Sequence, residues 1–161
     1  MRRAQRDGYD TLIVTVDTAW LRTVCDGPLV VKGIQCVDDT VILAEVGADA
    51  VVLSTHGGRQ VDMGNVPLEL LPEVVSAIGD RLEVHVDGRI MTGADVVAVL
   101  AMGARGTLIG RAYLYGLMAG GYHGVVGVLD ILDREIRAIM QLIGAPTTSE
   151  LTEEVIRFRD G

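Results

Sequence analysis

Five short runs along the chain are almost wholly apolar: residues 11–18 (TLIVTVDT), 28–34 (PLVVKGI), 49–55 (DAVVLST), 82–88 (LEVHVDG) and 106–111 (GTLIGR). A strand buried on one face alternates apolar with polar residues, whereas a strand buried on both is nearly continuous, so these runs predict a sheet covered on both sides. Between the later runs the apolar period changes to three and four. Residues 38–46 behind a capping-type Asp, 68–78 behind Pro67, and 94–102 are predicted helices. Residues 125–144 read as a long amphipathic helix closed by Gly144 at the left-handed position past its end. Residues 149–158 (SELTEEVIRF) predict a small terminal helix with a capping box at Thr152.

Strands alternating with helices specify parallel pairing through right-handed crossovers, which makes the class α/β. Strand starts recur at about twenty to thirty residues, the spacing of a (β/α) barrel, in which polar residues at the C-terminal strand ends build the site on one rim. Polar residues do fall late in the runs: Thr15 and Asp17, Lys32, Ser54 and His56, Asp87, and Arg111. One connection looks short. Only residues 19–27 separate the first run from the second, against about a dozen for a parallel crossover.

A chain of 161 residues suits one domain, and 49% hydrophobic with 22% charged residues describes a globular protein with large buried surfaces. The net charge of −8 opposes binding to nucleic-acid phosphates or an anionic membrane, which requires clustered Lys and Arg, so small solutes are the expected partners. Residues 112–129 carry no formal charge and approach the length of a membrane span. Gly120 and Gly121 break that stretch and His123 follows, so no span is expected. Two isolated cysteines, Cys25 and Cys36, suggest reduced thiols and a cytoplasmic location, and the opening residues show no export signal.

The segment Ser54-Thr55-His56-Gly57-Gly58-Arg59 holds the densest candidate chemistry. A histidine at a strand end serves as a general base near neutral pH, and an arginine three residues on offers a planar fork suited to a carboxylate. The glycine pair between them lets the backbone turn closely against a ligand. Lys32 is the only lysine of the chain and closes a run of apolar residues, a placement that suits stabilising developing negative charge better than solubility. Tyr113, Tyr115, Met118 and Met102 have the context of core residues. His85, between Val84 and Val86, reads as a satisfied core histidine, and His123 as a surface group at a helix start. No HExxH or CxxC pattern is present, so no metal site is expected.

VVLSTHGGRQVD resembles the signature of the FMN-dependent 2-hydroxy-acid oxidases and dehydrogenases, the family of glycolate oxidase, lactate dehydrogenase and lactate 2-monooxygenase. The resemblance implies a TIM (β/α)8 barrel, FMN as cofactor, and oxidation of an (S)-2-hydroxy acid such as L-lactate to the 2-oxo acid. By it, His56 is the base, Arg59 the clamp on the substrate carboxylate, and Ser54 a neighbour of the flavin. TVDT resembles the strand that supplies Thr15 to the flavin and Asp17 to the base, and PLVVKGI the strand whose lysine, here Lys32, contacts the flavin ring. HVDGRIMTGADV and LIGRAYLYG are similar to the flavin-phosphate turns, with Asp87, Gly88, Gly110 and Arg111 matching directly. Three positions depart from the family: Thr55 stands for its usual Asn, Arg89 for a Gly, and Met91 for a phosphate-binding Arg. Arg89 is then a candidate replacement anchor.

The resemblance covers roughly strands four to eight with the C-terminal helices, so residues 1–161 are expected to form a single partial domain, a C-terminal half-barrel. Such a half leaves parallel edges open, so it must pair with another copy, pair with a missing half or remain marginally stable, which predicts association, as a homo-oligomer or with a missing half, or else poor solubility. Two other readings stay open: an FMN- or phosphate-binding barrel isomerase, which has no need of His56 with Arg59, and a truncated remnant without turnover.

Overall fold

The apolar runs become parallel strands. The computed structural model describes residues 12–14, 22–23, 26–59 and 63–156. It divides the chain into two units, Met1–Val86 and Asp87–Gly161.

In the first unit, strands β1 (Leu12–Val14), β2 (Leu29–Ile34), β3 (Ala50–Leu53) and β4 (Glu83–Asp87) pair parallel in chain order. β1 is described over Leu12–Val14, and most of the connection to β2, on which the expected shortening bears, lies outside the described residues. Helix α1 (Val37–Val46) follows β2, and α2 (Pro67–Ile78) follows β3. The expected Asp cap of α1 is replaced by Cys36 without a side-chain bond, while Asp38 and Asp39 sit in the first turn, where the helix dipole favours them. Pro67 opens α2, as predicted, since its missing N–H is not needed there. All four residues of β3 are buried, and with Leu71, Val74 and Ile78 of α2 they form the centre of this core.

The register places side chains in layers. Lys32, Val52 and His85 are cross-strand partners and so face the same way, with Val30, Ala50 and Glu83 in the layer below. Val84 and Val86 point to the opposite, buried side. His85 is only half-buried, and its Nε2 lies 3.5 Å from a Glu83 carboxylate oxygen, so the expectation of a core histidine becomes one of a half-buried, paired group on the sheet face it shares with Lys32. β2 contains one irregularity. Lys32 pairs with Val52 and Ile34 with Leu53, leaving Gly33 as the extra residue of a bulge at φ 105°.

In the second unit, helix α3 (Gly93–Ala101) packs on strand β5 (Gly106–Leu108) and on α4 (Arg111–Ile143). A capping box starts α3: Thr92 Oγ1 accepts from the Asp95 N–H, and the Asp95 carboxylate accepts from the Thr92 N–H at 2.8 Å. Val97, Ala101 and Leu151 form a small core against Ile136, Ile139 and Met140 of α4. Gly144 ends α4 in the left-handed conformation, as the sequence predicts. The predicted terminal helix does not form among the described residues. Thr148–Glu150 and Glu153–Val155 are single 3-10 turns, and Thr152 makes no cap bond. Two glutamates crowd the start of too short a run for a stable helix. Met102 is buried, but Tyr113, Tyr115 and Met118 are exposed, correcting their reading as core. Small residues of the same helix, Ala112 and Gly116, take the buried positions instead.

Gly120 and Gly121 break α4 with non-helical backbone, and the two stretches fold back on each other at Gly116 and Gly124. A Cβ on Gly116 would stand 2.5 Å from the Gly124 carbonyl oxygen and 2.8 Å from Val128, and a Cβ on Gly124 would run into the Gly116 carbonyl. Gly124→Ala is therefore expected to destabilise, because overpacking strain of about 1–3 kcal/mol exceeds the roughly 1 kcal/mol alanine gains as a helix former. A lowered urea midpoint checks this. Among the described residues, no helix is long and apolar enough to cross a membrane, and no group of three or more His, Cys, Asp or Glu is placed to hold a metal.

Candidate active site

At the C-terminal end of β3 the chain leaves the sheet through Ser54 and enters a 3-10 turn, His56–Gly58. Ser54 is 1% exposed, so its hydroxyl must find partners inside the protein. It accepts from the Lys32 ammonium at 3.0 Å and from the His56 backbone N–H at 3.1 Å. One oxygen thus ties the end of β2 to the first residue of the turn. The His56 imidazole lies over Gly33, next in chain to Lys32, with its Nε2 as the atom nearest to where a Gly33 side chain would begin. Downstream, the Asn65 side-chain N–H donates to the Gln35 carbonyl at 2.8 Å and ties the loop that follows Arg59 back to the end of β2.

Arg59 closes the turn and is exposed, without a hydrogen-bond or ion-pair partner among the described residues. A guanidinium so placed keeps all its donors available to a carboxylate. Thr15 and Asp17, expected to serve the flavin and the base, lie outside the described residues. Cys36 is a free thiol whose pKa is raised, chiefly by burial with the Asp39 and Asp38 charges adding to it, which fits packing rather than nucleophilic chemistry.

The candidate phosphate residues belong to the second unit. Asp87 is half-buried at the end of β4, and Gly88 and Arg89 form an exposed turn in which both have positive φ, 123° and 59°. Met91 is exposed. The start of α3 is already satisfied: the Met91 and Thr92 N–H groups donate to Asp95 Oδ2 at 2.9 and 2.8 Å, and the Gly93 N–H donates to Glu135 at 2.6 Å. A phosphate at this turn would therefore rest on the guanidinium of Arg89 rather than on those three N–H groups. Gly110 caps α4 without a side-chain bond and Arg111 opens it, exposed, so this second helix start offers backbone donors and a cation together.

Two non-glycine residues among those described have positive φ, His56 at 52° and Arg89 at 59°. Such backbone costs on the order of 1–3 kcal/mol per residue and persists where surrounding structure holds it, commonly at functional sites. It also accounts for the glycine that the resemblance expects at position 89, a conformation that Arg89 adopts despite its side chain. The structure brings Lys32, Ser54 and His56 together. It reveals two roles the sequence did not signal, Ser54 as a bridge between lysine and histidine and Gly33 as the floor under the imidazole. The lone signal for the second was a glycine inside a strand pattern, which marks a bulge or a close approach.

Comparison with known proteins is consistent across sequence and structure. The family described as FMN-dependent dehydrogenase matches residues 17–158. The chain is 49% identical over 144 residues to a putative L-lactate dehydrogenase of Mycobacterium tuberculosis, covering 89% of this chain and 35% of that protein. It is 39% identical over 149 residues to a peroxisomal (S)-2-hydroxyacid oxidase of Arabidopsis thaliana, covering 92% of this chain and 41% of the relative. Among solved structures, a flavocytochrome b2 double mutant with sulfite bound superposes with a TM-score of 0.91 at 32% identity, over 96% of this chain and 49% of the other. The monotopic membrane protein (S)-mandelate dehydrogenase gives 0.83 at 38% identity, over 88% and 37%. The chain thus spans less than half the length of these relatives. Its fold is that of part of a (β/α)8 barrel.

Proposed function

This chain belongs to the FMN-dependent dehydrogenase family, and we propose that it carries the base, substrate and cofactor residues of an enzyme that oxidises an (S)-2-hydroxy acid such as L-lactate to the 2-oxo acid. The observation that carries this reading is the Lys32–Ser54–His56 cluster, in which a lone lysine and a strand-end histidine share one buried hydroxyl. FMN is the cofactor of the family. Each unit by itself offers donors that suit part of such a group: the first a cation at Lys32, the second the exposed guanidinium groups of Arg89 and Arg111 with the Gly88 and Gly110 turns, which suit a phosphate. Bound FMN supplies the hydride acceptor.

The chain's own residues do the rest. The His56 imidazole takes the proton of the substrate 2-hydroxyl, and Asp17, by the family resemblance, supports the imidazolium that forms. The exposed fork of Arg59 grips the carboxylate and so orients the carbon that is oxidised. The Lys32 ammonium, held by Ser54, faces developing negative charge without having to reorganise. Thr15 and Ser54 are assigned to the flavin side of the site and Asp87 to its phosphate end.

The family match runs through both units, which supports reading residues 1–161 as part of one domain. A homo-oligomer in the cytoplasm completes the proposal. Exposed Tyr115, Met118, Tyr122 and Leu142 are apolar surfaces suited to association, and the sparse cysteines suit a reducing compartment. The test is optical. Protein mixed with FMN and freed of excess should retain a yellow flavin band that L-lactate bleaches without oxygen. A retained band that no 2-hydroxy acid bleaches points to isomerase chemistry, and a folded colourless protein to a remnant without turnover.

A further inference from the structure

We infer that Gly33 is a positioning residue for His56: the bulge in β2 presents a bare Cα where the imidazole lies, and so sets the direction of the ring. For its chemistry this rests on the function proposed above, but its geometry does not.

Gly33 is the unpaired residue of the bulge, and its φ of 105° is one that L side chains rarely adopt. Backbone conformation alone would explain a glycine there. The space around it says more. The three atoms nearest to where its Cβ would sit all belong to His56: Nε2 in direct collision, Cδ2 at 3.3 Å and Cε1 at 3.4 Å. By contrast Gly47, also at positive φ, would meet nothing nearer than Arg22 Nε at 3.8 Å, and Gly57 nothing within 4 Å. The missing side chain of Gly33 therefore leaves room for one specific ring. The backbone of His56 is held separately, by Ser54 Oγ, which the neighbouring Lys32 also grips. Two consecutive residues of one strand thus control both ends of His56: Lys32 through the serine that holds its N–H, and Gly33 through the ring face. A methyl group at position 33 would occupy the ground of Nε2 and rotate the imidazole away.

The experiment uses the full chain with four variants: G33A, H56G, the G33A/H56G double, and G47A as a measure of positive-φ strain in open space. The loss of Tm caused by G33A should be large in the wild-type background and shrink toward that of G47A once His56 is glycine, because strain stays and the collision leaves. Equal losses in both backgrounds would overturn the inference. Should G33A fail to fold, recovery of folding in the double variant supports the inference, and failure of both overturns it. In the NMR spectrum, the wild type should show cross-relaxation between the Gly33 α-protons and the His56 ring, and G33A should displace the ring signals of His56 while those of His85 and His123 stay. Absence of that cross-relaxation also overturns the inference.

None of these readouts needs a flavin. Coupling without lactate bleaching would sink the proposed function and keep the role of Gly33, whereas bleaching without coupling would do the reverse. In protein that bleaches, G33A should slow the saturated rate by roughly 10²-fold, the cost of misplacing a reacting group by about an ångström, and leave the half-saturating lactate concentration unchanged, since Arg59 does not depend on the bulge.

Discussion

Replacing His56 with glutamine should slow the bleaching of bound flavin by L-lactate by roughly 10²–10⁴-fold, the usual worth of a general base, while the flavin stays bound. Glutamine keeps a polar side chain of similar reach, and the backbone N–H that donates to Ser54 Oγ is untouched. What it lacks is a nitrogen able to take a proton near neutral pH. Flavin content should hold because Lys32, Arg89 and Arg111 are unchanged. The half-saturating lactate concentration should hold because the carboxylate is assigned to Arg59. Rapid-mixing absorbance under saturating lactate, with flavin content measured on the same sample, checks the result. Wild-type bleaching in the variant would remove His56 from proton transfer.

The largest stability effect is expected far from the chemistry, at Leu71 of α2. The side chain is 0% exposed and sits in the core with Val51, Val52 and Leu53 of the strand that leads into the active-site turn. Truncation to alanine removes about three buried carbons and leaves a cavity that a packed core closes only in part. The expected cost is about 2–5 kcal/mol, out of a total stability of roughly 5–15 kcal/mol. Urea unfolding checks it through a lowered midpoint at unchanged slope. A loss well under about 1 kcal/mol would mean that α2 collapses freely onto the sheet and that the β3 core is not close-packed. Because Ser54 and His56 follow directly on β3, the variant should also blunt the response to lactate. Saturating FMN should restore part of that response, as ligand binding favours the folded state.

Legibility in the sequence differed by element for physical reasons. The strands of the first unit stood out because two-sided burial demands continuous apolar residues, and all of the expected runs contain a strand. Their ends were overestimated, since a small polar residue that closes a run is not distinguishable by composition from one inside the strand: Ser54 and Thr55 already lie beyond β3. Helices α1, α2 and α3 were placed within a residue at each end, because Pro67 and the left-handed Gly47 punctuate the chain chemically. The stretch after Thr152 failed for the opposite reason. Its capping pattern was present, but a cap contributes only about 1 kcal/mol and does not by itself sustain so short a run. Tyr113, Tyr115 and Met118 failed because hydrophobicity says that a side chain is free to be buried, and only packing says which ones are.

By itself the amino-acid order determined the α/β class, the positions of the main elements, and the residue types of the site: one lysine, a histidine–arginine turn and glycine-rich turns with arginines. These are local properties, written in periodicity and in side-chain chemistry. Tertiary structure alone decided that Ser54 joins Lys32 to His56, that a one-residue slip in β2 bares Gly33 beneath the imidazole, and that Asp95 and Glu135 fill the start of α3. Each of these depends on which strand lies beside which and in what register, or on two helices meeting. Contacts between residues distant in the chain leave no periodic trace for a sequence to display.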